Sequence, residues 1–369
     1  MKILSKFKNG ATPVVAGLVL IALVASSCSS GTNSSAAKPT PVKSANVTAL
    51  LKNIYANSQN AKNVDENISF GITNIPYILQ SSGNLSPAAK RKEAMALAII
   101  PKFSINLAAS KTSSGVGNLN ELIGFDYSSQ PIGQIILTTK NAKLSATYFK
   151  VDLAALAKLP LPWPASVKNE LGLVGAIIQP TWYKIPSALV ARASTLPTSG
   201  TQKIPGGLKS IKAFLKNDLI LASILPEAFK SQVITNQGGE TINFSNNLYA
   251  LLKWWGASGI KQLRQLKLLT PAEMTKLTIS EKSFAQAKAE KLNKDTITAS
   301  MEATSANELT DFKVVLSLVV PSNTTQKVEI SVSVPITYNT QVTPPSNAVT
   351  LPPSILGGLG GGSLPSGAL

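Results

Sequence analysis

The sequence predicts an α+β fold built on antiparallel strands, and three observations carry that prediction. From residue 297 to 338, apolar side chains recur at every second position. The runs are Ile297, Ala299, Met301, then Phe312, Val314, Leu316, Leu318, then Val328, Ile330, Val332, Val334, Ile336, Tyr338. The polar breaks TSANELT and PSNTTQ separate them, which makes an antiparallel meander with one buried face and one polar face. Near the start the period changes: Val47, Leu50, Leu51, Ile54 and Tyr55 form one apolar stripe of an amphipathic helix. The third observation is composition. Of 369 residues, 44% are hydrophobic and only 14% charged, enough to fill a core in one large domain or two ordinary ones.

The remaining elements follow in chain order. Residues 64–75 read as a strand. Ser86-Pro87 is an N-cap followed by proline in the first turn, which opens a helix through Ile99. Residues 102–109 alternate Phe103, Ile105, Leu107, and strands are expected again at 132–139 and 143–151. The middle is more helical. Residues 207–225 carry Leu208, Ile211, Phe214 and Leu215 on one face and Lys209, Lys212 and Lys216 on another. Thr270-Pro271-Ala272-Glu273 fits a capping box, and 281–292 is a basic helix.

The pattern F-x-x-[DN]-L-x-A-L-x-K occurs twice, from Phe149 to Lys158 and from Phe244 to Lys253. It reads as a strand end, an Asx N-cap and an amphipathic helix. Two interpretations stay open: a structural pseudo-repeat, or two ordinary strand-to-helix turns.

Residues 1–27 read as an export signal, with Lys2, Lys6 and Lys8 ahead of an apolar stretch from Val14 to Val24. That stretch is shorter than the ~20 residues a spanning helix needs. Ala25-Ser26-Ser27-Cys28 resembles the lipobox of bacterial lipoproteins. The resemblance implies cleavage before Cys28 and acylation of its thiol, with the protein lipid-anchored on the extracytoplasmic face of the cell membrane. An ordinary secretory signal with a chance cysteine is the alternative. Residues 28–44 are rich in Ser, Gly, Thr and Asn and read as a flexible tether. Residues 45–349 are the folded region, and 350–369 a Pro/Gly-rich tail.

The charge census is 35 Lys+Arg against 18 Asp+Glu, a formal +17, of which +14 remains after the three leader lysines. The excess is spread along the chain, which suits an anionic surface such as phospholipid headgroups or wall polymer. No nucleic-acid-binding signature is present. The absence of His excludes His-based acid–base and nucleophile chemistry and most zinc sites, and a single Cys excludes an internal disulfide. The adjacent Asp65 and Glu66 point to opposite faces of a strand, and Glu302, Glu308 and Asp311 flank a hairpin turn. Neither group makes a case for acid–base or metal chemistry. No enzyme activity, cofactor or metal is expected.

The order of lipobox, tether, amphipathic helix, strands, inserted helices and closing meander resembles the LolA/LppX-like lipoproteins, above all the LppX/LprG branch. The local matches are ATYFKVDL (146–153), Trp182-Tyr183-Lys184-Ile185-Pro186, Gly239 to Phe244, and VSVPITYNTQVTPP (332–345). The resemblance spans about 45–349, and the chain carries extra basic helical sequence at about 256–292. It implies a half-open curved antiparallel β-sheet, an incomplete barrel, wrapped around helices, with an apolar cavity that holds an acylated lipid or phospholipid.

Leu248, Leu251, Leu252, Trp254 and Trp255, after the second echo, are the candidate ligand-binding residues. Ordinary core anchoring is the plainer reading of both tryptophans; adjacent residues cannot share one helix face, so one of them should stay partly exposed. Trp163, between two prolines, and Lys261, Arg264 and Lys267 are candidates for membrane or headgroup contact. Against them stand a rigid turn packed on the body and a solvated helix face. Two functions follow. One is a non-catalytic, lipid-anchored envelope protein that binds or carries an acylated lipid. The other is a cell-surface scaffold or sensor for an envelope protein or wall polymer, its interior filled by its own side chains.

Overall fold

The computed structural model describes residues 40–41, 47–77, 86–112, 118–141, 143–161, 163–177, 180–185, 225–236, 238–259, 261, 294–320 and 323–350. These belong to two units, each made of two stretches of chain. The first takes Met1–Phe103 and Ile204–Asn339, the second Ser104–Lys203 and Thr340–Leu369. Each unit is a largely antiparallel sheet carrying helices, so the α+β class expected from the sequence is observed.

The strands are β1 (Thr40–Pro41), β2 (Asn63–Ile72), β3 (Phe103–Lys111), β4 (Leu119–Tyr127), β5 (Gln130–Lys140), β6 (Lys143–Val151), β7 (Tyr183–Ile185), β8 (Lys230–Asn236), β9 (Gly239–Asn247), β10 (Thr296–Thr304), β11 (Leu309–Val320), β12 (Asn323–Thr337) and β13 (Val349–Thr350). The helices are α1 (Val47–Asn60), α2 (Pro87–Ile99), α3 (Leu153–Lys158), α4 (Ala165–Ile177) and α5 (Leu248–Trp254).

In the first unit the strand order is β1-β8-β9-β10-β11-β12-β2. The meander forms as its alternation dictates. Ile297, Met301, Phe312, Leu316, Val328, Val334 and Ile336 are buried, while Glu302, Lys313, Glu329 and Pro335 are exposed. Tyr338 closes it, its hydroxyl donating to the Leu309 carbonyl. The α1 stripe lies in the same core, with Leu51 and Ile54 fully buried. Helix α2 starts where Ser86 and Pro87 place it, and Ser86 Oγ accepts from the Ala89 N–H at 3.3 Å. Asp295 is a buried pin: its carboxylate accepts from the Val319 N–H at 2.8 Å, and its carbonyl accepts from the Leu248 N–H at 2.8 Å. Within the stretch read as tether, Thr40–Pro41 pairs with β8 as the edge strand, a place that tolerates proline.

The second unit has the order β3-β4-β5-β6-β7-β13, with β7 and β13 parallel. One sheet face is closed by the chain at 340–342. Ser110 Oγ accepts from the Val342 N–H at 2.7 Å and donates to the Thr340 carbonyl at 3.4 Å, and Asn120 Nδ2 donates to the Val342 carbonyl at 3.0 Å. Ala108, Ile136 and Val342 are buried together there, with Leu122, Tyr148 and Trp182 packed against them. Helix α4 lies close on α3, and only glycine fits at 175, because a Cβ there would sit 2.8 Å from the Ala154 nitrogen.

The repeated pattern is structural in both copies. β6 ends at Val151, Asp152 caps α3, and Asp152 Oδ1 accepts from the Ala155 N–H at 2.7 Å. β9 ends at Asn247, which caps α5, and Asn247 Oδ1 accepts from the Ala250 N–H at 2.6 Å. In each copy a hairpin, β5–β6 or β8–β9, precedes the helix, and the next strand among the described residues, β7 or β10, returns antiparallel to the hairpin's second strand. Asp152→Ala and Asn247→Ala should each cost about 1 kcal/mol in chemical denaturation, the ordinary worth of a side-chain N-cap.

Candidate functional site: an apolar sheet face

Register decides which side chains share a face. In the second unit, Ile136 pairs with both Leu122 and Tyr148, and these point to the face that Val342 closes. The alternate residues point the other way: Ile105 and Leu107 from β3, Ile123 and Phe125 from β4, Ile135 and Leu137 from β5, Thr147 and Phe149 from β6, Tyr183 and Ile185 from β7. The rings of Phe149 and Tyr183 stack with centroids 5.4 Å apart. This second face is mostly apolar; its polar members include Thr147 and Glu121, a half-buried carboxylate opposite Leu137. Phe125 is 39% exposed, and the other apolar residues named are half-buried.

The echo sharpens the contrast, because equivalent positions differ by 95 residues. Phe149 corresponds to Phe244, which is 1% exposed and meets the Phe229 ring edge-on at 6.3 Å. Leu153 and Leu156 are half-buried, whereas their counterparts Leu248 and Leu251 are 3% and 2% exposed. Thr147 corresponds to Ile242, buried between its strand partners Val233 and Met301. The first unit's copy is thus a closed interior and the second unit's copy a partly open face.

The structure places the sequence-derived candidates accordingly. Leu248, Leu251, Leu252 and Trp255 come together in the closed interior of the first unit, where they act as core. Trp254 is half-buried, tilted 60° to Trp255, and packed so closely on Gly259 that a Cβ there would sit 2.8 Å from its ring. The expected division between the adjacent tryptophans is therefore observed. α5 runs on into a π-helical turn, Trp255–Gly259. Trp163 is half-buried in the turn before α4, with its indole nitrogen buried and unpartnered. Lys261 is exposed. Cys28, Arg264, Lys267, the capping box at 270–273, the helix at 281–292 and all but the last residue of the helix at 207–225 lie outside the described residues. The sequence reading did not single out Thr147, Phe149 or Tyr183 as site residues, although all three fall inside strings it quoted. The repeat at 95 residues was the signal that could have found them.

Glu66 is buried on the core face beside Ile336, and Asp65 lies on the opposite face. Asp311 faces its strand partner Glu302, and burial, then the Glu302 charge, pushes its carboxyl above the usual aspartate value of 3.8, with Lys313 opposing. A carboxyl raised by folding binds its proton more tightly folded than unfolded, so its contribution to stability falls as pH climbs through and above 3.8. Asp311→Asn should accordingly match the parent near pH 3 and exceed it at pH 7. Solvent screening limits the gain to a few tenths of a kcal/mol, readable in paired thermal melts.

Among the described residues no group of three or more His, Cys, Asp or Glu could hold a metal ion, and no helix is long and apolar enough to cross a membrane. No protein-family model matches the chain, and no curated protein matches its sequence.

Proposed function

We propose that this chain is a non-catalytic, lipid-anchored envelope protein that holds an acylated lipid against the apolar face of its second unit, within a half-open LolA/LppX-like sheet. The observation that carries the reading is that face: nine apolar residues from five adjacent strands, none of the nine fully buried, with Thr147 and Glu121 among them. A globular protein ordinarily buries such a surface fully, and a contiguous apolar face left partly exposed is a candidate binding site. Acyl chains need apolar wall rather than reactive groups, and each CH₂ withdrawn from water contributes about 0.8 kcal/mol. The absence of His and the basic charge excess fit a carrier of anionic or neutral lipid. The anchor would be the acylated Cys28.

The test is native extraction of the full chain followed by lipid mass spectrometry. A stoichiometric acylated lipid is expected. A chain recovered empty each time, with no affinity for phospholipid vesicles, would sink the reading.

The scaffold or sensor reading draws support from one observation, the closed interior around Leu248, Leu251 and Trp255. It requires the second unit's face to be covered by a protein or polymer partner instead of lipid. Pull-down from envelope extract with and without detergent-solubilised lipid separates the two.

A further inference from the structure

Among the described residues four Ser or Thr side chains are buried: Ser110, Thr138, Thr147 and Ser317. Three have partners. Ser110 bridges Val342 and Thr340, Thr138 Oγ1 donates to the Ala146 carbonyl at 3.1 Å, and Ser317 Oγ donates to Glu329 Oε1 at 3.2 Å. Thr147 Oγ1 has none, although the residue is only 8% exposed. A buried hydroxyl without a partner carries a desolvation cost and calls for a specific explanation.

Its position supplies one. Thr147 shares the apolar face with Phe149, and its strand partners there are Leu137 and Ile185. Its counterpart in the closed copy is the apolar Ile242, so an apolar residue serves this position when the interior is filled by protein. The face spans β3 to β7, four strand spacings or ~19 Å. One leaflet's worth of acyl chain, half of a ~30 Å hydrocarbon core, fits across it.

We propose that Thr147 is a specificity-determining residue of this site: its hydroxyl donates a hydrogen bond to the ester carbonyl of an acylated ligand whose chain lies across the face. The inference rests on the lipid-binding reading above and deepens it. It predicts a preference for ester-bearing chains over bare hydrocarbon.

The experiment measures displacement of a fluorescent naphthalene-sulfonate dye from the full chain by methyl palmitate and by hexadecane. The parent should bind the ester about three- to tenfold more tightly than the alkane, the worth of one net hydrogen bond. Thr147→Val, isosteric and well suited to a strand, should abolish that preference by weakening ester binding, with hexadecane binding held or tightened and the thermal midpoint held or raised, because it removes an unsatisfied buried hydroxyl. Thr147→Ser should keep the preference. Equal affinity of the parent for the two compounds, or an ester preference that survives in Thr147→Val, overturns the contact alone and assigns the hydroxyl to a buried water. Binding of neither compound by the parent overturns the lipid reading and the contact with it.

Discussion

Phe244→Ala should cost about 3–5 kcal/mol, the range for emptying a large aromatic site in a packed core. Phe149→Ala, at the equivalent position of the second copy, should cost only about 1–2 kcal/mol, in proportion to the area it buries. The sequence alone gives no reason for the difference, since both phenylalanines open the same ten-residue pattern. The structure gives one. Phe244 is 1% exposed and meets the Phe229 ring, whereas Phe149 keeps part of its ring open beside Tyr183. Urea titrations of the two variants followed by circular dichroism would measure the gap. Ligand affinity should move the opposite way, falling in Phe149→Ala and holding in Phe244→Ala under conditions where both are folded. Equal stability costs would contradict the contrast between a closed and an open copy.

Gly239→Ala should be at least as damaging, at about 3 kcal/mol or more. Gly239 begins β9 with φ of +154°, a region L side chains rarely occupy. A Cβ there would lie 1.9 Å from the Ala303 carbonyl oxygen and 2.9 Å from the Thr304 carbonyl carbon. Both are backbone atoms of β10, the strand that pairs with β9, so relief requires breaking the ladder at Thr304. Gly172 in α4 is the matched control. It is exposed, nothing lies within 4 Å of its added Cβ, and Gly172→Ala should stabilise by up to ~1 kcal/mol through helix propensity. A Gly239→Ala variant that melts with the parent would show that the turn has another backbone path.

Much of the fold was legible because period and capping are local signals. The meander, the α1 stripe, the Ser86-Pro87 start of α2 and both Asx caps follow from residues within a few positions of one another. Several elements escaped, β1, β7 and β13 among them, and three of the longer ones show why. β4 reads LNELIGFDY, with apolar Leu122 and Ile123 adjacent and Glu121 interrupting the apolar set Leu119, Ile123 and Phe125, so the period of two is blurred. β8, KSQVITN, carries too few apolar residues to announce itself. α4 contains Gly172 and Gly175, and the second is required by contact with α3, a tertiary demand that lowers local helix propensity. The candidate site was harder to read. The sequence pointed to the apolar residues after the second echo, and these fill a core. What distinguishes the first echo is that it is only half-buried, and exposure depends on packing that no local pattern encodes.

The pairing of β2 with β12 has a consequence for how the molecule is made. Ser69 and Ser333 meet across that ladder, 264 positions apart, and the intervening chain includes strands β3 to β7 of the other unit. Hairpins such as β4–β5 close over a few residues and can form as they emerge from the ribosome. The first unit's sheet cannot gain β2 until nearly all of the chain has been synthesised, and the loop closure this demands makes its assembly slow. Until then the apolar side of the β2 strand has no permanent neighbour, so a chaperone that shields the early segment should raise the yield of folded protein more than one that acts on the finished chain.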